Sequence, residues 1–200
     1  MPDRNQSHVM APLSSRQARL VLTYLRGRGN TRDTALWALG ISTGLRISDL
    51  LSLQVRDILD VSGEVAGRIS VVESKSRKAR GISLLDFAKQ ALREHLSGKS
   101  LSPSSFIFPS RKGPDAPLTR QQAYRLVRKW CGDCGFKGDF GTHTIRKTYA
   151  TAAYVATGRD PVATARLTGH SNPAQLLHYI GECGVTEQQA VSQMEKAFSR

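Results

Sequence analysis

The chain has 200 residues, 40% of them apolar and 22% charged, which suits one substantial globular domain and is too short for two comfortable ones. Lys and Arg number 29 against 16 Asp and Glu, giving a formal charge of +13 and a pI near 10.2; this points to a polyanionic partner, most often nucleic acid, or to a merely basic surface. No apolar run approaches membrane-helix length, the opening MPDRNQSHVM has no apolar signal core, and three cysteines are an odd number for a secreted disulfide scaffold, so a cytoplasmic protein with no membrane partner is expected.

In chain order, residues 1–12 read as a flexible lead. LSSRQARLVLTYL follows as a capped helix, with Ser14 or Ser15 at the cap and Ala18, Leu22 and Leu25 at helical spacing. RGRGN breaks it. A second helix from about Thr31 carries Ala35, Leu36, Leu39 and Ile41, Gly44 interrupts, and a third covers roughly 46–53. The β-branched GRISVVES and KARGISLL flank the basic SKSRKAR, which predicts a β-hairpin with a positive tip. DFAKQALREHL is helical again, and the Pro- and Ser-rich SLSPSSFIFPSRKGPDAPL reads as a loop. Helical patterns then cover 119–131, 143–157, 160–168, 173–180 and 185–198. The expected architecture is mainly α with a small antiparallel β-sheet, an α+β domain over residues 13–184, followed by a C-terminal helix over 185–200.

Several stretches carry chemistry. THTIRKTYA sets His143 and Arg146 three apart on one helix face, a pairing that suits an anionic oxygen or belongs to a solvated basic face. ISTGLRISDLLSL sets Arg46 in apolar surroundings with Asp49 one turn later; a charge there is costly unless paired, so Asp49 either orients Arg46 toward a ligand or forms a structural pair with it. The hairpin tip offers Lys75, Arg77, Lys78 and Arg80, for proton donation or for contact with phosphates. In LTGHSNPAQLLHYIG, Tyr179 stands nine residues after His170, beside Leu176 and Leu177; it is a packing aromatic or a nucleophile. Tyr149, three residues beyond Arg146, is the other tyrosine that chemistry alone permits, although its Ala-rich helix explains it as core. WCGDC has the spacing of a redox pair, but Cys131 follows a helical run, where the helix dipole opposes a thiolate. Cys131 and Cys134 also lack a second matched pair for zinc.

Taken together, TGLRISDLLSL, HTIRKT, LTGH and the tyrosine nine residues beyond that histidine resemble the catalytic domain of the tyrosine recombinases, or phage integrases, over about residues 13–198. The resemblance implies that Arg46 and Arg146 bind a scissile DNA phosphate. Tyr179 would attack it to form a 3′-phosphotyrosyl link, and Lys75 would protonate the departing 5′ oxygen. His143 would assist proton transfer at the tyrosine, His170 would hold a phosphate oxygen, and Asp49 would stand behind them as the family's acidic support. Lys78 is the alternative to Lys75, since the glycine usual beside the lysine is Ser here. Arg111, Lys112, Arg120, Arg125, Arg128 and Lys129 would join Arg77, Lys78 and Arg80 in contacting DNA. No cofactor, ATP or metal ion is implied. The implied setting is the nucleoid, and the implied partners are double-stranded DNA, further copies of the chain as a synaptic tetramer, and accessory DNA-bending proteins. The layout is similar to that of the short fimbrial-switch invertases. A DNA-binding regulator without chemistry and a type IB topoisomerase-like relaxing enzyme are the competing readings. The tail's Val185, Val191, Met194 and Phe198 would dock on a neighbouring protomer or pack on their own domain.

Overall fold

In the computed structural model, residues 10–110 and 113–181 are described. Ser14 settles the first helix start: its hydroxyl accepts from the Gln17 N–H and the Gln17 side chain reaches back to the Ser14 N–H, a reciprocal capping box that opens α1 (Ser15–Gly27). Asn30 caps α2 (Thr31–Thr43), which is buried along almost its whole length. It forms the axis of the domain, with α1, α5 (Asp86–Leu96) and α7 (Thr142–Ala156) packed around it. Trp37 of α2 is fully buried; its indole N–H donates to the Ala18 carbonyl at 3.0 Å, and its ring meets Trp130 edge-on at 6.0 Å. Trp130 lies on α6 (Arg120–Asp133), so one aromatic contact joins the first and second halves of the chain.

Between α2 and α5 come two short helices, α3 (Ile47–Leu51) and α4 (Val55–Ile58), and then the hairpin. Strands β1 (Arg68–Val72) and β2 (Ala79–Ser83) pair antiparallel, with Arg68 opposite Ser83 and Val72 opposite Ala79. Ile69, Val71 and Ile82 face the core, so the hairpin expected from the two β-branched runs forms with one face buried. The chain closes with α8 (Pro161–Thr168) and α9 (Pro173–Ile180), each with proline in its first turn and an Asx cap, Asp160 and Asn172. A small second cluster of Ala150, Ala165, Leu176 and Ile180 joins α7, α8 and α9.

The mainly helical architecture matches the expectation, with two local differences. The stretch expected as loop over 100–118 contains a second hairpin, β3 (Pro109–Ser110) with β4 (Gly113–Pro117). Burial decides this: Ile107 and Phe108 enter the core, and their backbone exchanges hydrogen bonds with Leu53 and Leu118, which local Pro and Ser content does not reveal. Helix α4 is likewise absent from the sequence pattern, because four residues show no period. The helix expected over 185–198 and residues 1–9 of the flexible lead expected over 1–12 lie outside the described residues. Among the described residues no helix is long and apolar enough to cross a membrane.

Candidate active site

The C-terminus of α2 builds the first wall. Gly44 adopts φ +60, the left-handed cap that ends the helix, and a Cβ there would lie 2.1 Å from the Tyr149 ring. This turn presents the Gly44 carbonyl to Arg146 and places Arg46 in extended backbone at the head of α3. Arg46 is half-buried, and its Nη1 donates to Glu73 Oε2 at 2.6 Å. The expected partner, Asp49, does not hold Arg46. Its Oδ1 instead accepts the Ser74 N–H at 3.1 Å, and its Oδ2 is buried with no hydrogen-bond partner among the described residues. The reason is directional: Asp49 lies behind the hairpin backbone, whereas Glu73 comes off the end of β1 and faces the arginine.

Glu73 is the site residue that the sequence pattern does not announce. It is 2% exposed and carries a second ion pair to Arg80 Nε at 3.2 Å, a contact not aligned as a hydrogen bond. Arg80, expected at a DNA-contacting tip, is turned inward. Its other nitrogens donate to the carbonyls of Leu167 at 2.6 Å and Thr43 at 3.2 Å, so its guanidinium ties the hairpin to α2 and α8. A buried charged residue in a β-branched strand was the available signal for Glu73, because such a group is retained only with partners.

Arg146 comes from the first half of α7. Nη1 donates to the Gly44 carbonyl at 2.6 Å and Nη2 to the Thr168 carbonyl at 3.0 Å, which anchors it at both ends of the site. The Arg146 Nη2 lies 3.5 Å from His170 Nε2. Thr168 Oγ1, whose proton goes to the Thr164 carbonyl, lies 2.6 Å from His170 Nδ1; this favours the tautomer in which Nδ1–H donates to Thr168 and Nε2 faces Arg146. Burial, with Arg146, Arg46 and Arg80 nearby, pushes the His170 imidazole down to about 4, so the ring is neutral at physiological pH. Gly169 makes the turn before it at φ +70, and a Cβ there would meet Glu73 Oε1 at 2.7 Å.

Tyr179 lies near the end of α9, half-buried, with its ring 5.3 Å from that of His170 and its hydroxyl 3.5 Å from the His143 carbonyl. Burial pushes its phenol up to about 12, against the pull of Arg146 and Arg46. The His143 side chain is exposed at the cleft mouth. Partial desolvation of its ring and the charges of Arg146 and Lys147 hold it below its ordinary 6.5. Arg46, Lys75, His143, Arg146, His170 and Tyr179 all line one cleft of about 870 Å³. Lys75 reaches it from the exposed hairpin tip, where Lys78 also lines it. Tyr149 does not line this cleft: its ring covers Gly44 and its hydroxyl lies 3.5 Å from the Leu167 carbonyl.

Other sequence candidates lie elsewhere. Arg77 is exposed at the tip with φ 53. Arg120, Arg125, Arg128 and Lys129 are exposed along α6, with Arg128 over the Tyr124 ring and Lys129 paired with Asp133. Arg111 and Lys112 lie outside the described residues. Cys131 is buried in the last turn of α6, its thiol pushed up to about 12 mainly by desolvation, the opposite of a reactive thiolate. Among the described residues no group of three His, Cys, Asp or Glu is placed to hold a metal ion.

What the arrangement can do is grip an anion between two guanidiniums, with proton-carrying groups on two sides and a phenol in reach. Comparison with known proteins bears on the family and the fold. The sequence profile of the Phage integrase family matches residues 12–182. The probable integrase/recombinase YoeC of Bacillus subtilis is 35% identical over 175 residues, which cover 87% of this chain and 91% of that protein. Tyrosine recombinase XerD of Corynebacterium glutamicum is 31% identical over 145 residues, 70% of this chain but 45% of that protein, so the chain spans about half the length of such relatives. The Tn1549 transposon integrase, solved with circular intermediate DNA, superposes with a TM-score of 0.70 at 22% identity, over 98% of this chain and 69% of that one. At that identity the likeness establishes the fold.

Proposed function

Because this chain belongs to the phage integrase family of tyrosine recombinases, we propose that it breaks and rejoins DNA at specific sites through a 3′-phosphotyrosyl intermediate on Tyr179. The observation that carries this reading is the convergence of Tyr179 with Arg46, Arg146, His143, His170 and Lys75 on one cleft from five separate chain segments. A DNA-binding regulator has no need of a phenol among those groups.

The steps follow from the chemistry of the groups. Arg46 and Arg146 take the non-bridging oxygens of the scissile phosphate and stabilise the charge that builds there. The Tyr179 oxygen attacks phosphorus while its proton passes toward His143, and the bond from phosphorus to the 5′ oxygen breaks. Lys75 gives a proton to that oxygen. His170, held by Thr168, lies beside Arg146 to contact a phosphate oxygen. The 5′ hydroxyl of a partner strand then attacks the phosphotyrosine and Tyr179 recovers its proton. One phosphodiester replaces another, so the exchange needs no nucleotide hydrolysis, and the two arginines supply the charge stabilisation without a metal ion. Asp49 and Glu73 support the arginine and the lysine by holding the hairpin against α3.

In this reading double-stranded DNA is the substrate, and four copies of the chain form the synaptic complex, aided by DNA-bending proteins. The tail over 185–200 couples neighbouring protomers, and deletion of it abolishes cooperative assembly on two-site DNA in gel-shift titration. Integration, excision and fimbrial-type inversion share this chemistry and differ in how two sites are arranged.

The test is covalent trapping on nicked duplex fragments from the DNA flanking the gene. An SDS-resistant, protease-sensitive adduct in wild type, lost in Tyr179→Phe and kept in Tyr149→Phe, is expected. Loss in Tyr149→Phe alone would move the nucleophile. Binding without any adduct would favour a regulator. Relaxation of supercoiled DNA without exchange between two sites would favour a topoisomerase.

A further inference from the structure

Lys147 follows Arg146 on α7 and points a different way. It is 6% exposed, and its Nζ lies 5.2 Å from the centroid of the Tyr179 ring. Among the described residues no carboxylate and no hydrogen-bond acceptor pairs with this ammonium. Its stem is buried while the ammonium nitrogen keeps contact with solvent, and partial desolvation lowers the Lys147 pKa. What the structure offers instead is the face of an aromatic ring, the arrangement in which a cation is attracted by the ring's negative quadrupole.

We propose that Lys147 is a positioning residue for the reaction, its ammonium holding the Tyr179 ring in place and favouring the negative charge that the phenol oxygen gains during attack. This rests on the reading of Tyr179 as the nucleophile. The attraction grows as the ring becomes a phenolate, because a full negative charge then replaces a quadrupole beside the same cation. It is therefore stronger in the attacking state than in the resting one, which is the condition for accelerating a step. Burial presses the other way and pushes the phenol up to about 12, so charge on Tyr179 has to be favoured by its neighbours. The groups that face Tyr179 are Arg146 and Lys147 from α7, Arg46 from the head of α3, the His170 ring from the α8–α9 turn, and the His143 carbonyl. In the proposed function both arginines are engaged by phosphate once DNA is bound. Lys147 alone among these cations is absent from the cleft lining, so a phosphate held there leaves it to the ring.

The experiment places difluorotyrosine, whose phenol titrates nearer neutral pH, at position 179 of the full chain. Fluorine NMR then follows its ionisation in wild type, Lys147→Met and Lys147→Arg. Removing the cation raises the midpoint by about one pH unit, a roughly tenfold loss of phenolate at fixed pH, while Lys147→Arg stays near wild type. Lys147→Gln replaces Lys147→Met should the latter not fold, which thermal melting decides. In parallel, the pH profile of adduct formation on the nicked fragments shifts upward by the same interval in Lys147→Met and returns in Lys147→Arg. A residue that only fills space would lower stability without moving either midpoint. An unshifted midpoint in a folded Lys147→Met or Lys147→Gln overturns the role of Lys147 alone. Absence of any adduct in wild type overturns the recombinase reading, and the role of Lys147 falls with it.

Discussion

Gly169 meets two demands at once. Its φ of +70 is one that other residues adopt only with strain, and a Cβ would press within 2.7 Å of the Glu73 carboxylate that faces Arg46 and Arg80. Gly169→Ala is therefore expected to cost about 1–3 kcal/mol in chemical denaturation, and to slow adduct formation further by displacing Glu73. Glu73 itself separates charge from shape. Glu73→Gln keeps the size of the side chain and removes the charge that fixes Arg46, so cleavage on nicked duplexes is expected to fall about 10- to 100-fold while the far-UV spectrum is unchanged. Glu73→Ala leaves two largely buried guanidiniums uncompensated and is expected to cost roughly 3–5 kcal/mol in denaturant unfolding.

At the scale of elements, the hairpin is the part whose placement decides whether Lys75 reaches the cleft. Besides the Arg80 guanidinium, two ties hold its tip: Glu73 to Arg46, and the Ser74 N–H to Asp49 Oδ1 at 3.1 Å. Asp49→Ala removes the second tie and leaves a backbone donor one residue before Lys75 without its acceptor. Faster hydrogen exchange at Ser74 is expected, with a stability loss of about 1–2 kcal/mol. Helix α5 supplies a different kind of constraint. His95 is 3% exposed and stacks on Phe108; its Nε2 lies 2.8 Å from the Ile107 carbonyl and its Nδ1 lies 2.9 Å from Lys99 Nζ. Burial drives its pKa from 6.5 to about 4 in the folded state. The unfolded chain then binds the proton more readily, so this contribution is present above pH 6.5 and is lost as pH falls toward 4. Up to about 3 kcal/mol of unfolding free energy is expected to disappear across that window, and His95→Gln is expected to flatten the curve.

For the whole molecule, the +13 charge turns into a statement about salt. Arg120, Arg125, Arg128 and Lys129 lie exposed along α6, away from the cleft, where contact with a DNA backbone would add affinity without chemistry. If they make such contacts, the double substitution Arg120→Gln, Arg125→Gln lowers the slope of log affinity against log salt by about 2 and weakens binding to all duplex sequences alike. An unchanged slope would mean that the two side chains are only a solvated face.

Local sequence determined what depends on neighbours along the chain. The Ser14 cap, the Gly44 break, the hairpin with its basic tip and the helical spacing of His143 and Arg146 are all legible because each is closed within a few residues. The order of motifs also carried the family. Tertiary structure decided what depends on direction and burial. It paired Arg46 with Glu73 rather than Asp49, and it turned Arg80 inward. It faced Tyr179 toward the cleft and Tyr149 toward Gly44, it set Lys147 over the Tyr179 ring, and it made strands of a Pro-rich loop. These contacts join residues far apart in sequence, and a side chain's partner there is set by which helices and strands pack together, a choice made by the burial of the whole core.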